Sequence, residues 1–262
     1  MQQLGKNIKN WKLIIISLIL LISSCGKGSY KSPLGSGDKS NLPVTVKILV
    51  EHAEYCKAIY DIGGDQKDEV AFEVIQDGGI TIIVIRGTAN IENVQSDIDI
   101  RLVRDDKLSL RLHKGFRDAS LGVMESIDRD HTLKHTVHIT GHSLGGAIAQ
   151  IIGMWLHKRS HNVQIFSYGS PKVSNETLSG GQPTHWRVVR TSDPVTFTPP
   201  WPYVHTGLFI DSQTLDWGPD NDNGLISKTD GLTHAISKYV ESLISTNSFG
   251  NSPIKREGKL KS

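Results

Sequence analysis

The sequence predicts an α/β fold, a mostly parallel central sheet with helices on both faces. Three observations carry that expectation. β-branched runs alternate with helical patterns through the middle of the chain, the pattern of strands joined by crossover helices. The run ITIIVIR (80–86) is apolar without alternation, as a strand covered on both faces should be. In TVHITGHSLGGAIAQ (136–150) a β-rich run stops at Gly141 and a small-residue helical stretch follows at once.

The elements follow in order. Lys6, Lys9 and Lys12 precede the apolar run LIIISLILLI (13–22), which is short for a membrane span and suits a secretory signal. Ile22-Ser23-Ser24-Cys25 then resembles the lipobox of bacterial lipoproteins, in which the cysteine is lipid-modified and becomes the mature N-terminus. Residues 1–24 are therefore expected to be a lipoprotein signal peptide and Cys25 the lipidation site. Acyl chains there would hold a soluble domain to a membrane at about 0.8 kcal/mol per buried methylene. Residues 25–43, rich in Gly, Ser and Lys, read as a flexible tether. The folded domain is expected over 44–245, and 246–262 reads as a polar, basic, disordered tail. The expected location is the cell envelope, as an anchored lipoprotein of the outer membrane or cell surface, with secretion as the alternative.

Within the domain, Ile48, Leu49, His52, Tyr55, Cys56, Ile59 and Tyr60 recur at helical spacing over 45–60. VAFEVIQ (70–76) and ITIIVIR flank Asp77-Gly78-Gly79, a hairpin signal. A mixed, charged stretch (89–112) precedes a helix over 116–127, a strand at 136–140 and a helix over 147–157. Strands at 163–169 and 186–190 follow, and a last helix spans 234–244. Cys56 has no partner if Cys25 is lipidated, so no disulfide framework is expected and a buried, inert thiol is the simplest reading.

The formal charge of +2 owes much to the leader. Its three lysines leave 26 basic residues against 27 acidic ones in the rest of the chain. That balance gives no reason to expect a nucleic-acid partner. His131, His135 and His138 form no metal-ligand pattern with carboxylates or cysteines. In Asp220-Asn221-Asp222-Asn223-Gly224, the glycine at the sixth place of a calcium loop would put Pro219 at the first, where an acid is required. Neither a metal nor an organic cofactor is expected.

The chemistry centres on Gly141-His142-Ser143-Leu144-Gly145. This Gly-x-Ser-x-Gly pattern lies between strand and helix, the context of a nucleophile elbow in an α/β-hydrolase fold. The elbow lifts the serine hydroxyl out on a strained turn, and the glycines keep side chains out of the crowded bend. Ser143 is the candidate nucleophile, and it needs a base and an acid that orients the base. The order serine, acid, histidine points to Asp193, which closes the strand WRVVR just before Pro194. Two histidines follow, His205 and His234. Position between loop and helix favours His234, without deciding it.

From about Ile48 to Ile244 the sequence resembles the class 3 lipase family. VIRGT (84–88), HKGF (113–116), ITGHSLGGAIA (139–149), YGSPKV (168–173), RTSDPV (190–195), YVHTG (203–207) and HAISKYVESL (234–243) occur in the order the family shows. The resemblance implies that His234 is the base and His205 structural. It also implies that Thr88 receives the oxyanion through its N–H and hydroxyl, with the Leu144 N–H as second donor. ANIENVQSDIDI (89–100) would be the lid, with Ile91 and Val94 as its underside, lacking the aromatic common there. Asp97 matches a family acid of structural role. The implied function is cleavage of carboxylic esters of lipids through a Ser143–His234–Asp193 triad and an acyl-enzyme. Phospholipase A-type cleavage or acyl transfer on the same residues, and a non-catalytic surface lipoprotein, are the alternatives.

Overall fold

In the computed structural model, residues 36–61, 70–88, 99–176, 182–219 and 231–248 are described. Helix α1 (Val46–Asp61) is followed by β1 (Phe72–Asp77) and β2 (Ile80–Ile85), a hairpin that turns at Gly78-Gly79. Next come β3 (Leu102–Asp105), β4 (Leu110–His113), α2 (Lys114–Asp130), β5 (Thr136–His142) and α3 (Leu144–Lys158). The remainder is β6 (Asn162–Tyr168), β7 (Thr184–Val189), β8 (Leu208–Asp211), β9 (Trp217–Gly218) and α4 (Ile236–Ser248).

Among the described residues the main sheet runs β1-β2-β5-β6-β7-β8-β9. Its inner junctions, from β2 through β8, are parallel, and β1 and β9 add antiparallel edges. This is the α/β-hydrolase fold. Alternation within each strand divides the core. Ile83, Ile85, Ile139 and Ile165 pack with Ile127 of α2 and Ile151 of α3. Phe166, Tyr168, Val188 and Ile210 pack with Leu49 of α1 and Tyr239 and Leu243 of α4. Helices therefore cover both faces, and each buried aliphatic side chain contributes about 1.5–3 kcal/mol of transfer free energy.

Strand register positions the site. Ile85 lies beside Gly141 and Gly141 beside Ser167, while His142 lies beside Tyr168 and Tyr168 beside Val188. β2, β5, β6 and β7 thus end level with one another. The segments that leave them, beginning at Arg86, Ser143, Gly169 and Arg190, emerge at one carboxyl edge, where open α/β sheets place their ligands.

The structure adds elements that the sequence pattern did not predict. β3 and β4 form a separate two-stranded sheet within the stretch read as mixed and charged. β8 and β9 are four and two residues long, too short to give a periodic signal. The tether expected over 25–43 needs correction at its end. Gly37 pairs with Trp217 through two backbone hydrogen bonds, and the Trp217 indole donates to Asn41. Asp38 and Asn41 cap one another around a short 3-10 turn (Lys39–Asn41). α4 likewise runs to Ser248, past the expected domain end at 245. The expected signal peptide, Cys25, Asp97, most of the lid segment (89–98) and the 220–224 turn lie outside the described residues. No helix among the described residues is long and apolar enough to cross a membrane.

Candidate active site

Ser143 stands between β5 and α3 with φ +59 and ψ −128. This backbone region strongly favours glycine, and holding serine there costs about 1–3 kcal/mol. The turn is crowded enough to require the glycines around it. A Cβ on Gly145 would lie against the Ile85 carbonyl and 2.9 Å from the Arg86 carbonyl carbon, and one on Gly146 would come within 2.8 Å of Ser170 Cβ. The Ser143 N–H donates to the Tyr168 carbonyl at 2.9 Å, tying the turn to the neighbouring strand.

Asp193 follows β7, caps the 3-10 turn Pro194–Phe197 and is fully buried. Its Oδ1 accepts the Val195 N–H at 2.9 Å. Its Oδ2 accepts His234 Nδ1–H at 2.7 Å and the Tyr239 hydroxyl at 2.5 Å. Since the carboxylate can only accept, the proton of a neutral His234 sits on Nδ1, leaving a lone pair on Nε2. Nε2 is buried and has no hydrogen-bond partner among the described residues.

Two contacts bring this imidazole to the serine turn. The ring of His142, the residue before Ser143, lies 4.5 Å from the His234 ring, centroid to centroid. A Cβ on Gly169, next to the carbonyl that Ser143 binds, would stand 3.1 Å from His234 Cε1. Gly169 has φ +55, so both conformation and space call for glycine.

His205 goes elsewhere. Its Nε2–H donates to the Thr196 carbonyl at 2.5 Å, and burial together with the Arg187 charge holds its pKa well below the usual histidine value. Thr88 is half-buried, one residue beyond Gly87, whose Cβ would be 3.3 Å from Ser143 Cβ. Leu144 opens α3, where the N–H has no acceptor within the helix. The carboxyl edge therefore gathers Ser143, His234, Asp193, Thr88 and Leu144.

Three more residues join them to which the sequence reading gave no role in the site. Tyr239 reaches Asp193 from α4, and burial with the nearby carboxylate raises its pKa well above the usual phenol value. His142 Nε2–H donates to the His234 carbonyl at 2.7 Å, and the Tyr60 hydroxyl lies 2.9 Å from His142 Nδ1. Burial, the largest cause, and the His234 charge depress His142 to about 3, so its ring is neutral. The one sequence signal was placement: Tyr239 and Tyr60 are aromatics with a polar end on apolar helix faces.

The family described as Lipase (class 3) matches residues 82–203, a span that includes Thr88, Ser143 and Asp193. Over that stretch the chain is similar to class 3 lipases. Similar relatives include a secreted mono- and diacylglycerol lipase 1 of Fusarium solani, 28% identical over 171 residues, covering 59% of this chain and 50% of the relative. A lipase of Rhizopus oryzae is 33% identical over 151 residues, covering 48% of this chain and 37% of its own length. The chain thus spans half or less of the length of these curated relatives. Among solved structures, a lipase from Rhizopus microsporus var. chinensis has a TM-score of 0.59 at 18% identity and covers 81% of this chain and 96% of its own. A triacylglyceride lipase of Rhizomucor miehei has a TM-score of 0.55 at 21% identity and covers 76% and 94%. These likenesses show the shared α/β-hydrolase fold.

Proposed function

We propose that this chain is a class 3 lipase that hydrolyses carboxylic esters of lipids through Ser143, His234 and Asp193. The supporting observation is the protonation pattern around His234. Asp193 holds Nδ1–H, which leaves the Nε2 lone pair, with no partner among the described residues, as the basic site near the serine turn.

In this reading Ser143 Oγ attacks the ester carbonyl as His234 Nε2 takes its proton. The oxyanion is received by the Leu144 N–H and by Thr88, through its N–H and hydroxyl. His234 then gives its proton to the departing alcohol as the C–O bond breaks, leaving an acyl-serine. Water, deprotonated by the same nitrogen, releases the fatty acid and restores Ser143. Asp193 keeps the imidazole in its Nδ1–H tautomer and stabilises its cationic form. The names of the relatives support acylglycerols as substrates. Lipidation of Cys25 would hold the domain at a membrane, close to such substrates.

The test is labelling of purified protein with a fluorophosphonate, alongside turnover of p-nitrophenyl esters, tributyrin and phosphatidylcholine. Labelling at Ser143, lost in a folded Ser143→Ala variant together with hydrolysis, is the expected result. Near-normal hydrolysis by Ser143→Ala removes the proposal, and the substrate panel separates lipase from phospholipase.

A further inference from the structure

Tyr60 and His142 join the residue before the nucleophile to the backbone of the base. The direction of each hydrogen bond follows from the groups involved. The His234 carbonyl can only accept, so His142 carries its proton on Nε2 and donates it there at 2.7 Å. A neutral imidazole protonated on Nε2 has its lone pair on Nδ1, so the hydroxyl of Tyr60, 2.9 Å away, must donate. The Tyr60 hydroxyl also lies where a Cβ on Gly87, the residue before Thr88, would stand, so α1 meets the end of β2 there. The two bonds form one directed chain from α1, through the elbow, to His234.

We propose that Tyr60 and His142 are positioning residues that lock His234 against the Ser143 turn through this directed hydrogen-bond chain. The inference rests on the hydrolase reading above. His234 lies at the end of a one-turn 3-10 helix (Gly231–His234) and its ring is otherwise held at Nδ1 by Asp193. One bond to an imidazole leaves rotation about that bond and displacement of the turn open. The His142 bond to the His234 carbonyl, with the ring contact at 4.5 Å, removes that freedom. Because His142 and Ser143 are adjacent, base and nucleophile are referenced to the same turn. The chain also sets the charge. A cationic His142 would oppose proton uptake by His234, and the donor from Tyr60 occupies the Nδ1 lone pair that would otherwise take a proton. Gly87, which precedes Thr88, packs against the Tyr60 hydroxyl, so the oxyanion side is referenced to the same frame.

The test pairs three variants with a direct reading of the imidazole. Tyr60→Phe removes the donor to Nδ1. His142→Phe keeps an aromatic ring beside His234 and removes both hydrogen bonds. His142→Gln keeps an amide N–H for the carbonyl and an oxygen for Tyr60. On a soluble p-nitrophenyl ester, at a temperature where all are folded, the two Phe variants are expected to lose about 10- to 100-fold in kcat, the scale of misplacing a reacting group by about 1 Å. KM should stay within about 2-fold, and His142→Gln should recover most of the loss. Nitrogen-15 spectra of the wild-type imidazoles should show His142 protonated on Nε2 alone, and Tyr60→Phe should mix the tautomers. Unchanged kcat in both Phe variants, or a wild-type His142 protonated on Nδ1, overturns the proposal. Wild-type protein that the fluorophosphonate does not label overturns the hydrolase reading and the positioning role together. That result is distinct from labelled wild type with indifferent variants.

Discussion

Tyr239 donates its phenolic proton to Oδ2 of Asp193 at 2.5 Å, the same oxygen that receives His234 Nδ1–H. Both groups are fully buried, and a carboxylate there needs every donor it can reach. Hydrogen bonds to charged groups contribute about 1.5–3 kcal/mol. Tyr239→Phe should therefore destabilise the fold by about that amount in urea titrations. A variant as stable as wild type would show that the phenol contributes nothing to holding the carboxylate.

The two histidines should separate cleanly. His234 meets Asp193, whereas His205 Nε2 is spent on the Thr196 carbonyl. In the proposed mechanism His234→Ala lowers kcat/KM by about 10³-fold or more, in line with loss of a general base from a serine triad. His205→Ala, which leaves the Thr196 carbonyl without its donor, should lower thermal stability and retain most of the specific activity of the folded fraction. Equal loss of activity in both would contradict the assignment.

Backbone strain at Ser143 gives a prediction that does not depend on turnover. With φ +59, alanine at this position keeps the strain and glycine relieves it. Ser143→Gly should be more stable than Ser143→Ala by about 1 kcal/mol or more, although glycine also adds freedom to the unfolded chain. Calorimetry on the two inactive variants settles the order.

Acid should unfold the protein through histidines buried without charge. Burial, the largest cause in each case, lowers His52, His142 and His185 to about 3 and His113 to about 4, from 6.5 in the unfolded chain. Below pH 6.5 the unfolded chain therefore binds more protons than the native one, and stability falls as pH drops through 6.5 towards 3–4. Urea midpoints should decline between pH 7 and pH 5. His185→Gln, which retains a polar partner for Ser167 Oγ, should make that decline shallower. An identical slope in the variant would show that His185 does not titrate on unfolding.

Much of this molecule is local and could be read in one dimension. The unbroken apolar run 80–86 announced a strand buried on both faces, and Gly141, Gly145 and Gly146 announced a turn too tight for side chains. Periodicity and steric exclusion act between near neighbours, so the amino-acid order alone determined the parallel sheet, its covering helices and the candidate nucleophile. The order of residues also put Asp193 at a strand end. It did not choose between His205 and His234, for which a family resemblance was needed, and it gave Tyr60, His142 and Tyr239 no role in the site. Those choices belong to the tertiary structure. Asp193 and His234 are 41 residues apart and Tyr60 and His142 are 82 apart, so no spacing rule connects them. They meet because β2, β5, β6 and β7 end in register, α1 and α4 pack on one face, and buried donors and acceptors there can satisfy only one another.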